Sequence, residues 1–317
     1  MLFIEDFEEA KTYHKSVLNC WLKIKLKGCK SEENEVGHNC GKESCSYCGN
    51  RRIGIFQLGN EELCDLLYDN IDILLEGSIQ DVIEFYNQNT TILDGNYDII
   101  KSLFENSGYE NYFQKKHGLN FLNKLNISTC VYCNRNYTLQ LVANHSRAQL
   151  DHWLPKTHFP FAALNFYNLI PSCQPCNHIK GEGGDKQWWL SNYSTLIHPY
   201  IKEEIYKFSF SYKEDSNLLS VEINSPNEKA ITTAEVNRIK EIYSAHNELE
   251  LRDLYDLRMK YDDNYLEMLN ESFFNEKLSD EDKCRLVYGI EKEEAHYHKR
   301  PFSKFKNDII EELMRIK

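Results

Sequence analysis

The sequence predicts a mainly α-helical protein with a small α+β insertion and a separate β-hairpin. Three observations carry this expectation. Apolar residues recur at three-to-four spacing along most of the 317 residues, the period of a helix with one buried face. Strict alternation, the period of a half-buried strand, is confined to two short stretches. Two Cys-x-x-Cys turns, Cys130 to Cys133 and Cys173 to Cys176, bracket one of those stretches.

Taken in order, Tyr13, Val17, Trp21 and Ile24 place a helix in residues 1–26. Residues 27–52 are rich in Cys, Gly, Asn, Ser and Lys and hold little apolar material. With residues 1–26 they make an N-terminal unit, 1–60. Residues 61–126 are helical, with Leu63, Leu66, Leu67, Ile71 and Leu74 opening the pattern and Gly77, Gly95, Gly108 and Gly118 punctuating it. Residues 127–190 form the insertion. Tyr137, Leu139 and Leu141 alternate as a strand over 136–142, Ala143 to Arg147 turn, and a second strand runs through Gln149 to His152. The last unit, 191–317, begins with a hairpin: Tyr206, Phe208, Phe210 and Tyr212 alternate, Glu214 to Asn217 turn, and Leu219, Val221 and Ile223 alternate back. Thr232 and Glu235 read as a capping box, and Pro301 opens a final helix carrying Phe302, Phe305, Ile309, Leu313 and Ile316.

Composition narrows the class. No apolar run approaches membrane-spanning length. The acidic start, Met1 to Asp6, does not resemble a signal peptide, so a reducing cytoplasmic setting is expected. There the 11 cysteines point to metal ligation before disulfides. A net charge of −12 argues against nucleic acid for the chain as a whole. It divides unevenly, however: Lys115 to Lys186 carries eight basic residues against three acidic ones.

Cys130, Cys133, Cys173 and Cys176 suit a structural zinc, because each tight turn aims two thiolates at one ion. Cys29, Cys40, Cys45 and Cys48 make a second candidate set, with His38 as a substitute ligand; a zinc there would replace the core that residues 27–52 lack. Cys20, Cys64 and Cys284 lie in apolar periodic segments and read as small core residues. Between the first two turns stands Asp151-His152. The carboxylate is a hard ligand for Mg²⁺ or Mn²⁺, and the imidazole is a base for water at neutral pH. Neighbours on a regular strand face opposite ways, so a bend at the strand end is required; Pro155 fits one. The aromatics Trp153, Phe159, Phe161 and Phe166, and Trp188-Trp189, read as packing first and base-stacking second.

The segment 127–181 resembles the HNH endonucleases. The likeness rests on Cys130-x-x-Cys133, Leu150-Asp151-His152-x-x-Pro155-Lys156, Asn168, Cys173-x-x-Cys176-Asn177 and Lys180-Gly181. It implies a ββα-metal finger in its zinc-stapled form, embedded in the helical body. It also implies roles: His152 the general base, Asp151 and Asn177 ligands of a catalytic Mg²⁺ or Mn²⁺, Asn168 a brace of the loop before the helix. His178 is the alternative to Asn177 if the register slips by one. Lys180, one turn on, is a candidate phosphate contact. The run from Leu150 to Lys156, the run from Pro160 to Cys173, and Lys299 to Lys304 further resemble HNH proteins of Septu-type and retron-associated anti-phage systems. That likeness implies a helical body docking an ATPase partner. The chain has no G-x-x-x-x-G-K-[ST] loop of its own. The expectation is therefore a metal-dependent DNA endonuclease of anti-phage defence. The alternatives are an RNase using the same site, for instance on tRNA, and a zinc-stabilised scaffold or binding subunit.

Overall fold

The computed structural model describes residues 1–43, 45–48, 53–139, 149–181, 184–260 and 279–315. The described chain is mainly helical, with two two-stranded antiparallel sheets. No helix among the described residues is long and apolar enough to cross a membrane.

The first helix is Glu8–Lys27, with acidic residues in its first turn and lysines in its last, which suits the helix dipole. Residues 1–7 precede it as an extended arm rather than as helix. Leu2 N–H donates to the carbonyl of Val131 (2.7 Å) and Ile4 N–H to that of Pro199 (2.9 Å), so the arm is tied to the insertion and to the segment after it. Short helices follow from Glu61 to Lys101, one of them opened by a Ser78–Asp81 capping box. A π-helical stretch, Ser102–Gln114, and the helix Gly118–Leu125 complete this part. The wider π turn lets Leu103, Phe104, Tyr109, Tyr112 and Phe113 all reach the core.

In the insertion, β1 (Gln149–His152) pairs with β2 (Leu169–Ser172), Asp151 opposite Ile170. The hairpin expected with 136–142 falls largely outside the described residues. Within the described residues that first segment contributes a bridge between Thr129 and Tyr137; Gln140 to Arg147, with the expected turn, lie outside the described residues. The β1–β2 pairing follows from burial: Leu169 to Ser172 is wholly buried and covers the buried end of β1. The helix Gln174–Gly181 follows β2 directly.

The second hairpin falls where alternation places it, β3 (Lys207–Lys213) against β4 (Leu218–Asn224), closed by a turn whose Asn217 is left-handed. The Thr232 capping box is not formed. Asn227 caps a helix beginning at Glu228, and Thr232 sits inside it with its hydroxyl on the carbonyl of Glu228 (3.0 Å). The last helix is Ser303–Leu313, preceded by a left-handed Phe302. One continuous apolar core joins all four sequence units. Trp153, Phe159, Phe161, Phe166 and Trp189 are buried in it, so packing accounts for these rings.

Candidate active site and metal centres

The two Cys-x-x-Cys turns converge. Cys130, Cys133, Cys173 and Cys176 are all buried, and their sulfurs lie within 4.8 Å of one another. Cys133 and Cys173 are 3.9 Å apart, close to the roughly 3.8 Å edge of a tetrahedron with 2.3 Å zinc–sulfur bonds. The set could hold a zinc ion without an open position. Cys130 and Cys133 come from a turn closed by Asn134, whose N–H donates to the Cys130 carbonyl (2.8 Å) at a φ of +51°. Cys173 and Cys176 come from the junction of β2 and the following helix. A zinc ion held there would fix that helix against the ribbon.

A second group of four sulfurs within 4.8 Å of one another consists of Cys20, Cys40, Cys45 and Cys48. The expected set is corrected at one position: Cys20, on the first helix, takes the place given to Cys29. Cys29 instead pairs its backbone with His38 in a β-bridge. Amphipathic spacing on a helix reads the same for a core thiol and for a ligand facing a folded-back loop, so Cys20 was not separable from Cys64 by pattern.

Between the ribbon and the helix opens a cleft of about 320 Å³, lined among others by Asp151, His152, Asn177, Gln149, Lys156 and Glu110. Asp151 and His152 both reach it, because His152 is the last residue of β1 and the chain bends at once. His152 is fixed on two sides. Its Nε2 lies 3.1 Å from the carbonyl of Ala163, which places the proton on Nε2 and leaves the Nδ1 lone pair for a substrate. Its ring packs edge-on against Tyr109 (4.4 Å). Burial first, then the neighbouring Lys156, lowers its pKa to about 3, so the imidazole is neutral at physiological pH.

Asn168 braces the loop between the strands. Its Oδ1 accepts from Leu154 N–H (2.6 Å), and its Nδ2 donates to the carbonyls of Leu154 (3.2 Å) and Ala162 (2.9 Å). Asn165 ties the same loop to the helical body through the carbonyls of Ile73 (3.1 Å) and Gly77 (2.9 Å). Asn177 lines the cleft and donates through Nδ2 to Gln149 (2.7 Å), which turns its Oδ1 elsewhere. His178 is exposed and is not among the lining residues.

Lys180, the candidate phosphate contact, is among the residues lining the cleft, but its ammonium is engaged internally. It is 2 % exposed, and its ammonium donates to Asp151 Oδ2 (2.8 Å), Tyr132 Oη (3.1 Å) and the carbonyls of His152 (3.2 Å) and Trp153 (3.0 Å). Tyr132 also donates to Asp151 Oδ2 (2.6 Å). Burial pushes the lysine pKa down and Asp151 opposes this. The helical offset of four from Cys176 carries Lys180 inward, a consequence that the motif order alone does not display. The cation that lines the cleft in a partly exposed position is Lys156, held by Glu105 (2.7 Å) and Glu110 (3.0 Å).

The segment Lys299 to Lys304 is used internally. Asn134 Nδ2 donates to the carbonyls of Tyr297 (2.9 Å) and Arg300 (3.2 Å), and its Oδ1 accepts from Lys304 N–H (3.1 Å). The segment therefore clamps the zinc turn.

No family profile and no solved structure matches the chain. Over 57 residues it is 39% identical to Protein ea31 of Escherichia phage lambda, a match covering 18% of each chain. Over 94 residues it is 28% identical to Septu protein PtuB of Bacillus thuringiensis, 30% of this chain and 35% of that one. The matches span about a third or less of the length of these relatives.

Proposed function

We propose that the chain is a metal-dependent HNH endonuclease that hydrolyses phosphodiester bonds of DNA and serves anti-phage defence beside an ATPase partner. One observation carries the chemistry: a single cleft presents Asp151, the oriented neutral His152 and Asn177. The defence setting and the partner rest on the similarity to Septu protein PtuB.

In this reading His152 takes the proton from the attacking water at Nδ1, with the Ala163 carbonyl holding the ring. Asp151 Oδ1 and Asn177 Oδ1 are hard oxygen donors suited to Mg²⁺ or Mn²⁺, which when bound polarises the phosphate and offsets charge on the leaving oxygen. Lys180 and Tyr132 hold the other carboxylate oxygen of Asp151 and so orient it. Lys156, in place of Lys180, receives a phosphate oxygen. The cysteine-held zinc fixes the finger and takes no part in the reaction.

The test is plasmid cleavage with Mg²⁺ or Mn²⁺, alone and with the protein encoded beside it, comparing wild type with His152→Ala. Loss of cutting with a single cooperative unfolding transition retained is expected; equal cutting by the variant refutes the assignment. Parallel digestion of tRNA separates the DNA reading from the RNase reading.

A further inference from the structure

We infer that Cys20, Cys40, Cys45 and Cys48 form a second zinc site, one that clamps the Cys-rich loop onto the first helix. This stands independently of the nuclease reading.

The geometry is that of a thiolate knuckle closed by a helix side chain. The four sulfurs lie within 4.8 Å of one another, though Cys20 is twenty residues from the nearest other member. Backbone N–H groups point at the sulfurs: Cys40 N–H at Cys48 Sγ and Cys48 N–H at Cys45 Sγ, both at 3.4 Å. The first cluster has the same feature, Arg135 N–H at Cys133 Sγ, also 3.4 Å. Such bonds spread the charge of a thiolate and would be weak for a thiol.

An outer shell is built as well. His38, which is buried, places Nε2 3.5 Å from Cys20 Sγ, and Tyr68 Oη lies 3.2 Å from its Nδ1. A Tyr hydroxyl donating to Nδ1 fixes the proton on Nε2, where it faces sulfur. This is the arrangement expected around a metal-bound ligand. His38 therefore supports Cys20 and is not a ligand itself.

The loop needs such a site. Among its described residues between 29 and 57, His38 alone is buried, and only Tyr47, Ile53 and Phe56 pack, partly buried, against the core, so apolar packing holds it thinly. All four donors are soft sulfurs from a tight turn and a helix, which selects zinc over the hard divalent cations.

The first helix in turn packs on the π-helical stretch that borders the cleft. On either side of Cys20, the Val17 carbonyl accepts from Tyr112 Oη (3.0 Å) and Trp21 stacks on the Tyr112 ring (4.3 Å). Tyr112 lies on the π-helical stretch whose Tyr109 and Glu110 line the cleft.

The experiment is metal analysis of the full chain purified under reducing conditions, with cobalt substitution as a second readout. Wild type is expected to hold two zinc ions. Cys20→Ser should hold one and lose about half of the thiolate-to-cobalt absorption, while Cys29→Ser keeps two. His38→Ala should keep two but lose one to a chelator about 10- to 100-fold more readily. If Cys20→Ser proves insoluble, Cys45→Ser with limited proteolysis decides: one zinc and cleavage confined to residues 29–57 support the site. One zinc in wild type, two in Cys20→Ser or Cys45→Ser, or iron in place of zinc overturns it.

Discussion

Lys180 Nζ lies 2.8 Å from Asp151 Oδ2, and both residues are buried beneath the candidate cleft. A buried pair of this kind contributes little net stability when intact but is costly to break from one side. Lys180→Met should therefore destabilise the protein by about 3–5 kcal/mol, because it leaves the Asp151 charge unpaired. Adding Asp151→Asn should return a large part of that loss. Denaturant unfolding of the two single variants and the double variant measures this. A Lys180→Met cost below about 1 kcal/mol would mean that Asp151 is satisfied without the lysine.

Lys156 and Glu110 make a prediction about binding. The Lys156 ammonium is held by Glu105 and Glu110, and Glu110 is the more exposed of the two carboxylates. A phosphate would have to displace Glu110 to reach the lysine. Glu110→Gln should then tighten DNA binding, and Lys156→Ala should weaken it and reduce the salt dependence of log K by about one phosphate contact. An unchanged salt slope in Lys156→Ala removes the lysine from the phosphate path.

Stability should fall with acid through two buried histidines that do not line the cleft. Burial lowers the pKa of His14 and of His198 to about 3, against about 6.5 in an unfolded chain. Between those values the unfolded state binds more protons. The contribution of each is thus present above about pH 6.5 and lost as the pH falls toward 3. Each adds up to about 1.4 kcal/mol per pH unit to the slope. His198→Phe, which keeps the edge-on packing on Trp153 (4.8 Å), should reduce the slope between pH 5 and 6.5 by about one proton. Unfolding titrations over that range give the answer, and an unchanged slope places the His198 proton in the folded state.

What was legible in the sequence follows from how local each signal is. The Cys130 and Cys173 turns and the β3–β4 hairpin are set by spacings of a few residues, and the structure brings them together as spaced. The pairing of β1 with β2 was not legible: Leu169 to Ser172 begins seventeen residues beyond His152 and contains Pro171, which reads against a strand. The proline is tolerated because its carbonyl accepts from Val131 (3.2 Å) and its missing N–H costs no ladder bond at an edge. Cys20 and Lys180 share a cause. Both sit on helices whose inward faces meet groups far away in the chain, and periodicity says that a side chain is inward without saying what it meets.

Asn134 ties the zinc turn to the far end of the chain, and its replacement separates two costs. The residue sits at φ +51°, a conformation that costs an ordinary side chain about 1 kcal/mol and glycine almost nothing. Its amide also serves Thr129 Oγ1 (2.9 Å), the Tyr297 and Arg300 carbonyls and the Lys304 N–H. Removing that amide leaves buried groups unpaired, at about 1–3 kcal/mol for the set. Asn134→Gly should lose only the second amount and Asn134→Ala both, so Ala should be the less stable by about 1 kcal/mol. Both should release zinc from the Cys130 site faster, since the turn is no longer held by the 297–304 segment. Unfolding free energies together with zinc release to a chelator test this. If both variants unfold and release zinc as wild type does, the clamp contributes nothing to the metal site.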